Sequence, residues 1–266
     1  MSAAAGLPAG SQAIPAVDFA AATSLALPLD FDAPHPRHFG APPARSQAFR
    51  SGNFEGQVAR GASCNCRSIT LIPHCNGTHT ESASHLTLEQ QPLHALLPAA
   101  PMSALLLTLR PVAAAGCGED SLPAPLAADR LITRAALRTA WDAHGTRPRA
   151  LLLRTGTDWR DAAPPFLSQQ FAAELVARGV EHLVCDLPSV DRLQDEGRLT
   201  AHRIFFGLPA GSTRLGEAAR PTATITELAN FPATLVDGPC AVQIQIPDWS
   251  GDAVPSRPLH LPLAAP

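Results

Sequence analysis

At 266 residues the chain is long enough to bury a real core, and a single α/β domain is the expected arrangement. A formal net charge of −3 offers no attraction to a phosphate backbone or an anionic membrane, which argues against nucleic acid and lipid as partners. There is no Tyr, and all 20 basic residues are Arg. Schiff-base lysine chemistry and a lysine-bearing P-loop are therefore excluded, as is a Gly-x-Ser-x-Gly nucleophile elbow.

Cys64, Cys66, Cys75, Cys117, Cys185 and Cys240 lack the spacing of a disulfide framework. Met1–Val17 has no basic n-region and no sustained apolar core, so no signal peptide is expected. No apolar run approaches the ~20 residues that span a bilayer. A soluble, cytoplasmic chain with reduced thiols is expected.

Residues 1 to about 50 are rich in Ala, Pro and Ser and read as an arm, with roughly the first 15 residues expected to be disordered. Residues 1–24 are assigned to this arm and 25–266 to one domain. Leu25–Phe31 has strand character, and the prolines of Pro34–Pro43 allow only loop or extended chain. Ser68–Ile72 reads as a strand stopped by Pro73, and Met102–Val112 as a buried strand. Thr133 is placed to cap a helix running to His144 with Leu137 and Trp141 on its apolar face, ended by Gly145. Ala150–Arg154 is an apolar strand. Ser168 is placed to cap a second helix carrying Phe171 and Leu175, ended by Gly179. Val180–Leu187, Arg203–Phe206, Ala223–Thr226, Ala241–Ile246 and Leu259–Leu263 have strand character. Leu208–Pro221 reads as a long loop, a kind often functional. Strands alternate with helices in the middle and dominate the ends, which implies an α/β fold with a mixed sheet and flanking helices.

The densest chemistry lies in His74-Cys75-Asn76-Gly77-Thr78-His79-Thr80-Glu81-Ser82-Ala83-Ser84-His85. Neutral imidazole and carboxylate are the ligands of Zn²⁺ or Mn²⁺ in water-activating sites. A turn at Gly77 at the end of a strand can make His74, His79, Glu81 and His85 converge. A polar surface loop is the bland alternative. Cys64-x-Cys66 with His74-Cys75 offers a second arrangement, a structural zinc site, but one residue between paired cysteines is too few for the usual spacing. Asp186 and Asp191 flank Pro188-Ser189, where a turn held by carboxylate-to-backbone hydrogen bonds is expected.

The segment resembles the signature of the metal-dependent cyclase family, which includes kynurenine formamidase-like and isatin hydrolase-like enzymes. That signature runs His-x-Gly-Thr-His-x-Asp-x-Pro-x-His; Gly77-Thr78-His79 matches its centre and His85 its last histidine. Leu151-Leu152-Leu153-Arg154-Thr155-Gly156, Gly179-Val180, Asp186-Leu187-Pro188-Ser189-Val190-Asp191, Ala201-His202-Arg203 and Ile225-Thr226-Glu227-Leu228 resemble further landmarks, in the family's order. The chain departs from the pattern in four places, one of them the longer stretch between His202 and Glu227, where the Gly/Pro-rich loop is inserted. One extra residue precedes His79, so Cys75 rather than His74 holds the first-histidine spacing. Glu81 stands for Asp, and Ala83 for Pro.

The resemblance implies a swivelling β/β/α fold and one or two divalent ions, Zn or Mn. It implies His74, His79 and Glu81 as ligands, with Cys75 the alternative to His74. His85, His202 and Glu227 would either bind a second ion or, for the histidines, move protons. The implied activity is hydrolysis of the C–N bond of an aryl formamide, with lactam ring opening or a non-catalytic binding module as alternatives. The implied partners are a small-molecule substrate and a second copy of the chain. Phe31, Phe39, Trp159 and Phe205 are candidates for apolar substrate walls or for ordinary core.

Overall fold

The computed structural model describes residues 16–264. Its central sheet has nine strands: β1 (Thr23–Ser24), β2 (His79–Ser82), β3 (Met102–Thr108), β4 (Ala150–Arg154), β5 (His182–Cys185), β6 (Thr224–Glu227), β7 (Gly238–Gln245), β8 (Ala253–Pro255) and β9 (Arg257–Leu261). Their spatial order is β1-β9-β7-β3-β4-β5-β6-β2-β8. The four central strands β3 to β6 run parallel, and every pairing outside them is antiparallel. The sheet is mixed, as expected. Four helices accompany it: α1 (Pro73–Asn76), α2 (Arg134–Asp142), α3 (Gln169–Ala177) and α4 (Thr200–Phe206).

Alternation of side chains divides the core in two. On the helix side, Leu105, Leu107, Leu151, Leu153, Leu183 and Ile225 pack with Leu137, Trp141, Phe171, Leu175 and Phe205. On the other side, Leu106, Leu152, Val184, Val242 and Ile244 pack with Leu25. Both faces of the parallel strands are covered, which is why β4 reads as an unbroken apolar run. The expected caps form: Thr133 accepts from the Ala136 N–H and Ser168 from the Phe171 N–H.

Three expected elements differ. The Leu25–Phe31 strand is replaced by β1, which lies in the segment assigned to the arm and pairs with β9. Beyond an isolated bridge between Ala26 and Ala229, the Leu27 N–H turns instead to the Thr78 hydroxyl, and Pro28 has no N–H to continue a ladder. Ser68–Ile72 becomes Arg67–Thr70, paired with Arg45–Ala48 in a separate ribbon that leaves Ile69 exposed. The His74–His85 motif therefore begins in the single turn α1 and continues as a sheet strand, rather than as a loop at a strand end.

Arg203–Phe206 is helical, not extended: it is the second half of α4. The short run Ile204-Phe205-Phe206 fits either period. Tertiary contacts decide for helix, since the Asp191 carboxylate accepts the N–H groups of Ala201 and His202, and Gly207 closes the end at φ 65°. The long loop 208–221 folds back on this helix, with Ala219 and Arg220 donating to the carbonyls of Gly207 and Phe206. The first 15 residues, expected to be disordered, lie outside the described residues. No helix among the described residues is long and apolar enough to cross a membrane.

Candidate metal centre

His79 and Glu81 are alternate residues of β2, so both side chains leave the same face of the sheet. The antiparallel register sets Glu227 of β6 opposite His79. His79 Nε2 lies 3.4 Å from Glu227 Oε2. α1 brings His74 Nδ1 to 3.0 Å from Glu81 Oε2. α4 brings His202 Nε2 to 2.8 Å from Glu81 Oε1 and 3.5 Å from Glu227 Oε1. His85 sits on a 3₁₀ turn, Ala83–Leu86, that Ser82 caps. Its ring centroid is 4.2 Å from that of His74 and 5.8 Å from that of His202. All six residues expected at the site are thus brought together.

Two groups within this cluster have ligand atoms all within 4.8 Å of one another: His74, Glu81 and His85, and His79, Glu81 and Glu227. Glu81 belongs to both. Cys75 is buried beside them but in neither group, and burial pushes its thiol up, away from thiolate. The helical turn of α1 absorbs the extra residue and leaves His74 facing the cluster. Cys64 and Cys66 are exposed and join no metal-capable group among the described residues.

Each imidazole is anchored, and three are anchored on a nitrogen away from a measured carboxylate contact. His79 Nδ1 donates to the Gly77 carbonyl at 3.0 Å. His74 Nε2 donates to Asp252 Oδ2 at 2.8 Å, and His202 Nδ1 to Asp191 Oδ2 at 2.6 Å. His85 Nδ1 also donates to Asp252 Oδ2, at 3.3 Å. Such bonds fix the tautomer and aim the other nitrogen's lone pair, as around histidines that bind metals. Asp252 carried no local signal, being 167 residues from His85. Asp191 was visible only as a turn residue: its carboxylate instead accepts the Ala201 and His202 N–H groups at the start of α4 and bonds the His202 ring.

The sequence matches the family model described as "putative cyclase" over residues 23–192. The chain belongs to the Cyclase family. The matched region contains the whole His74–His85 motif, while His202 and Glu227 lie beyond it. No curated protein matches the chain. Among solved structures, the chain is similar to isatin hydrolase A from Labrenzia aggregata bound to benzyl benzoate (15% identity, 91% of this chain and 94% of that one, TM-score 0.60). It is similar to isatin hydrolase A from Ralstonia solanacearum (15%, 91% of each chain, TM-score 0.59). It is also similar to a "predicted metal-dependent hydrolase" from Bacillus stearothermophilus (15%, 90% and 97%, TM-score 0.58). The shared architecture is the cyclase-family fold.

The donor set of this cyclase cluster fits a divalent cation. Glu81 is 1% exposed, yet neither of its oxygens has a hydrogen-bond partner among the described residues; nor has His79 Nε2. The short contacts to His74 and His202 are close approaches without hydrogen-bond geometry. Buried polar atoms without partners are costly, and a shared cation satisfies all three at once. The electrostatics agree. Burial favours the neutral acid of Glu81, but the imidazoles of His202 and His85 hold it well below the usual carboxylate range. Burial opposes charge on His202, yet Glu81 and Asp191 raise it well above the ordinary value. Burial opposes charge on His74, yet the carboxylates of Asp252 and Glu81 beside it outweigh that and raise it to about 10. The cyclase cluster therefore attracts positive charge.

The candidate substrate walls divide. Phe205 is 1% exposed, lies in the helix-side core beneath the Arg220 guanidinium, and is not a wall. Trp159 lines a cleft of about 450 Å³ at the carboxyl ends of β4, β5 and β6, with Leu27, Asp186 and Phe231. Phe39 is exposed and Phe31 half-buried.

Proposed function

We propose that the chain is a metal-dependent hydrolase that cleaves the C–N bond of an aryl formamide. The observation that carries this reading is Glu81, a sealed carboxylate shared by two ligand groups, with no hydrogen bond to either oxygen. His74, His79, Glu81 and Glu227 would hold one or two ions, Zn or Mn, with His202 completing the Glu81–Glu227 side. A divalent ion there supplies Lewis acidity, polarising a carbonyl and acidifying water.

The chain's own residues do the rest. Gly77, Asp191 and Asp252 keep three imidazoles in one tautomer each. His202 is 2% exposed and is assigned to the ion rather than to proton exchange with solvent. His85 is more open, with a quarter of its side chain exposed, and its Nδ1 proton is committed to Asp252. Its Nε2 is the group placed to accept a proton from water and return it to the departing nitrogen. In balance, the water oxygen bonds to the formyl carbon, the C–N bond breaks, and the amine leaves with the proton.

Lactam ring opening is a second reading, favoured by the likeness to isatin hydrolase folds. It needs the same groups acting on a cyclic C–N bond. The test joins elemental analysis to a screen of formanilides and lactams. Purified protein should contain Zn or Mn, and chelation should abolish hydrolysis while the far-ultraviolet circular dichroism persists. Full activity in metal-free protein would overturn the reading; metal without turnover of any amide would favour a binding module.

A further inference from the structure

Adjacent residues of α4 serve different places. His202 reaches the metal cluster, 2.8 Å from Glu81, whereas Arg203 lines a cavity of about 560 Å³. None of the six clustered residues lines that cavity. Its volume suits one small organic molecule. The walls come from α4, the turn before it and the start of the 208–221 loop, a segment the hydrolytic site does not use.

Two guanidinium groups line the cavity, those of Arg198 and Arg203, and no carboxylate does. In a chain of net charge −3 this is a local concentration of positive charge. Arg203 is held in position: its Nε donates to the Arg198 carbonyl at 3.2 Å, and its Nη1 to the carbonyls of Pro209 and Ser212 at 3.1 and 2.8 Å. These are all uncharged acceptors, and Nη2 keeps its protons free among the described residues. The Arg198 side chain is exposed and makes no hydrogen bond or ion pair among the described residues. The nearby acids are occupied elsewhere. Asp195 is 9% exposed and accepts the N–H groups of Gly197 and Leu199 at 2.9 and 2.6 Å, and Glu217 accepts the Ser212 hydroxyl at 2.7 Å. Ile204, Leu208 and Leu122 supply apolar wall.

Guanidinium groups bind carboxylates through charge-assisted hydrogen bonds, and a cleft lined by one sign of charge concentrates the opposite ion. We propose that this cavity is a binding site for a small organic carboxylate, with its anionic end between Arg198 and the free Nη2 of Arg203 and its apolar body against Ile204 and Leu208. The apolar wall decides against a bare inorganic anion, which would leave it uncovered. The proposal goes beyond the hydrolase reading and does not depend on it, since it uses no residue of the metal cluster.

The experiment is isothermal titration of the Co(II)-loaded protein with benzoate, benzamide and inorganic phosphate, with the cobalt absorption spectrum recorded alongside. Benzoate should bind and leave the spectrum unchanged. Benzamide, which has the same shape without the charge, should bind about tenfold more weakly or worse, the scale of a hydrogen bond to a charged group. Equimolar phosphate should not displace benzoate. Arg198→Gln should keep the fold and the spectrum and lose about tenfold or more in benzoate affinity, and Arg198→Lys, which keeps the charge without the fork, should fall between. Absence of benzoate binding, equal affinity for benzamide, displacement by phosphate, or unchanged affinity in Arg198→Gln would each overturn the site. A cobalt spectrum that shifts in step with binding would place benzoate on the metal and overturn it as well. Failure on any of these counts leaves the hydrolase reading standing. Protein that takes up no metal yet binds benzoate through Arg198 would sink the hydrolase reading alone.

Discussion

β4 and β2 belong to one sheet and are buried almost throughout, yet their burial serves opposite ends. β4 is Ala-Leu-Leu-Leu-Arg, and its leucines are fully enclosed on both faces. β2 is His-Thr-Glu-Ser, and every one of its residues is buried as well. Thr80 meets its need through the Thr226 hydroxyl at 2.7 Å, and Ser82 caps the next turn. His79 Nε2 and both Glu81 oxygens stay unpartnered among the described residues. Enclosing each leucine of β4 stabilises the fold by about 1.5–3 kcal/mol. Enclosing Glu81 and His79 opposes folding, and the surrounding sheet carries the deficit. The two strands show that burial alone does not mark a core; the valence left over after burial does.

Glu81→Gln should break the contrast most completely. It removes the charge common to both ligand groups. Partners one layer out from a metal are worth about 10–100-fold in affinity, so this change should exceed about a hundredfold and abolish hydrolysis. Elemental analysis and titration with a competing chelator check the affinity. Unchanged metal binding would remove Glu81 from the centre. Leu152→Ala in β4 tests the other side of the contrast: it should lower stability by about 2–5 kcal/mol in denaturant unfolding while leaving the metal content of the folded protein intact. Metal loss without destabilisation would show that the two strands are not separable in this way.

That separation also explains what could be read in advance. β4, α2 and α3 announce themselves locally, through an apolar run and through Thr133 and Ser168 at the caps. His79 and Glu81 stand two apart and predict their shared face. α4 was missed because Ile204-Phe205-Phe206 suits a strand as well as a helix, and the deciding contact comes from Asp191, ten residues before Ala201. Leu25–Phe31 failed as a strand because the Thr78 hydroxyl, 51 residues from Leu27, takes the N–H that a ladder would use. Asp252 had no signal, since acids in loops are common and only folding sets this one against two imidazoles. Sequence shows a residue's chemistry and its local period, not which distant group will complete it.

A third, smaller effect separates imidazoles by environment. His182 is 1% exposed in β5 and donates or accepts at the Thr224 hydroxyl, with no carboxylate in hydrogen-bond range. Burial, then the nearby Arg149, lower it to about 4, whereas the carboxylates of the candidate metal centre raise His74 and His202. The folded state thus resists a proton that the unfolded chain accepts from its ordinary value of 6.5 downward. Stability from this residue is complete above pH 6.5 and declines as pH falls toward 4, by up to about 3 kcal/mol. Denaturant unfolding of wild type and His182→Asn between pH 7 and 4 should show a steeper fall for wild type. Parallel curves would mean that His182 protonates freely in the fold.

Asp252→Asn makes the finest cut, because it leaves every proposed ligand in place. Asp252 Oδ2 receives His74 Nε2 and His85 Nδ1 together, and these two bonds hold its carboxyl well below the usual range. An asparagine carbonyl can accept from only one ring with good geometry, and its amide turns a donor toward the other. His74 would then lose orientation as a ligand, and His85 would lose the bond that fixes which nitrogen carries its proton. Metal affinity should fall by about 10–100-fold, the usual scale for a partner one layer out. At saturating metal the two roles come apart. If His85 moves the proton, kcat stays depressed when the metal site is refilled, because its tautomer is still unfixed. If full kcat returns with metal, Asp252 acts through His74 alone, and the proton must be carried by another group.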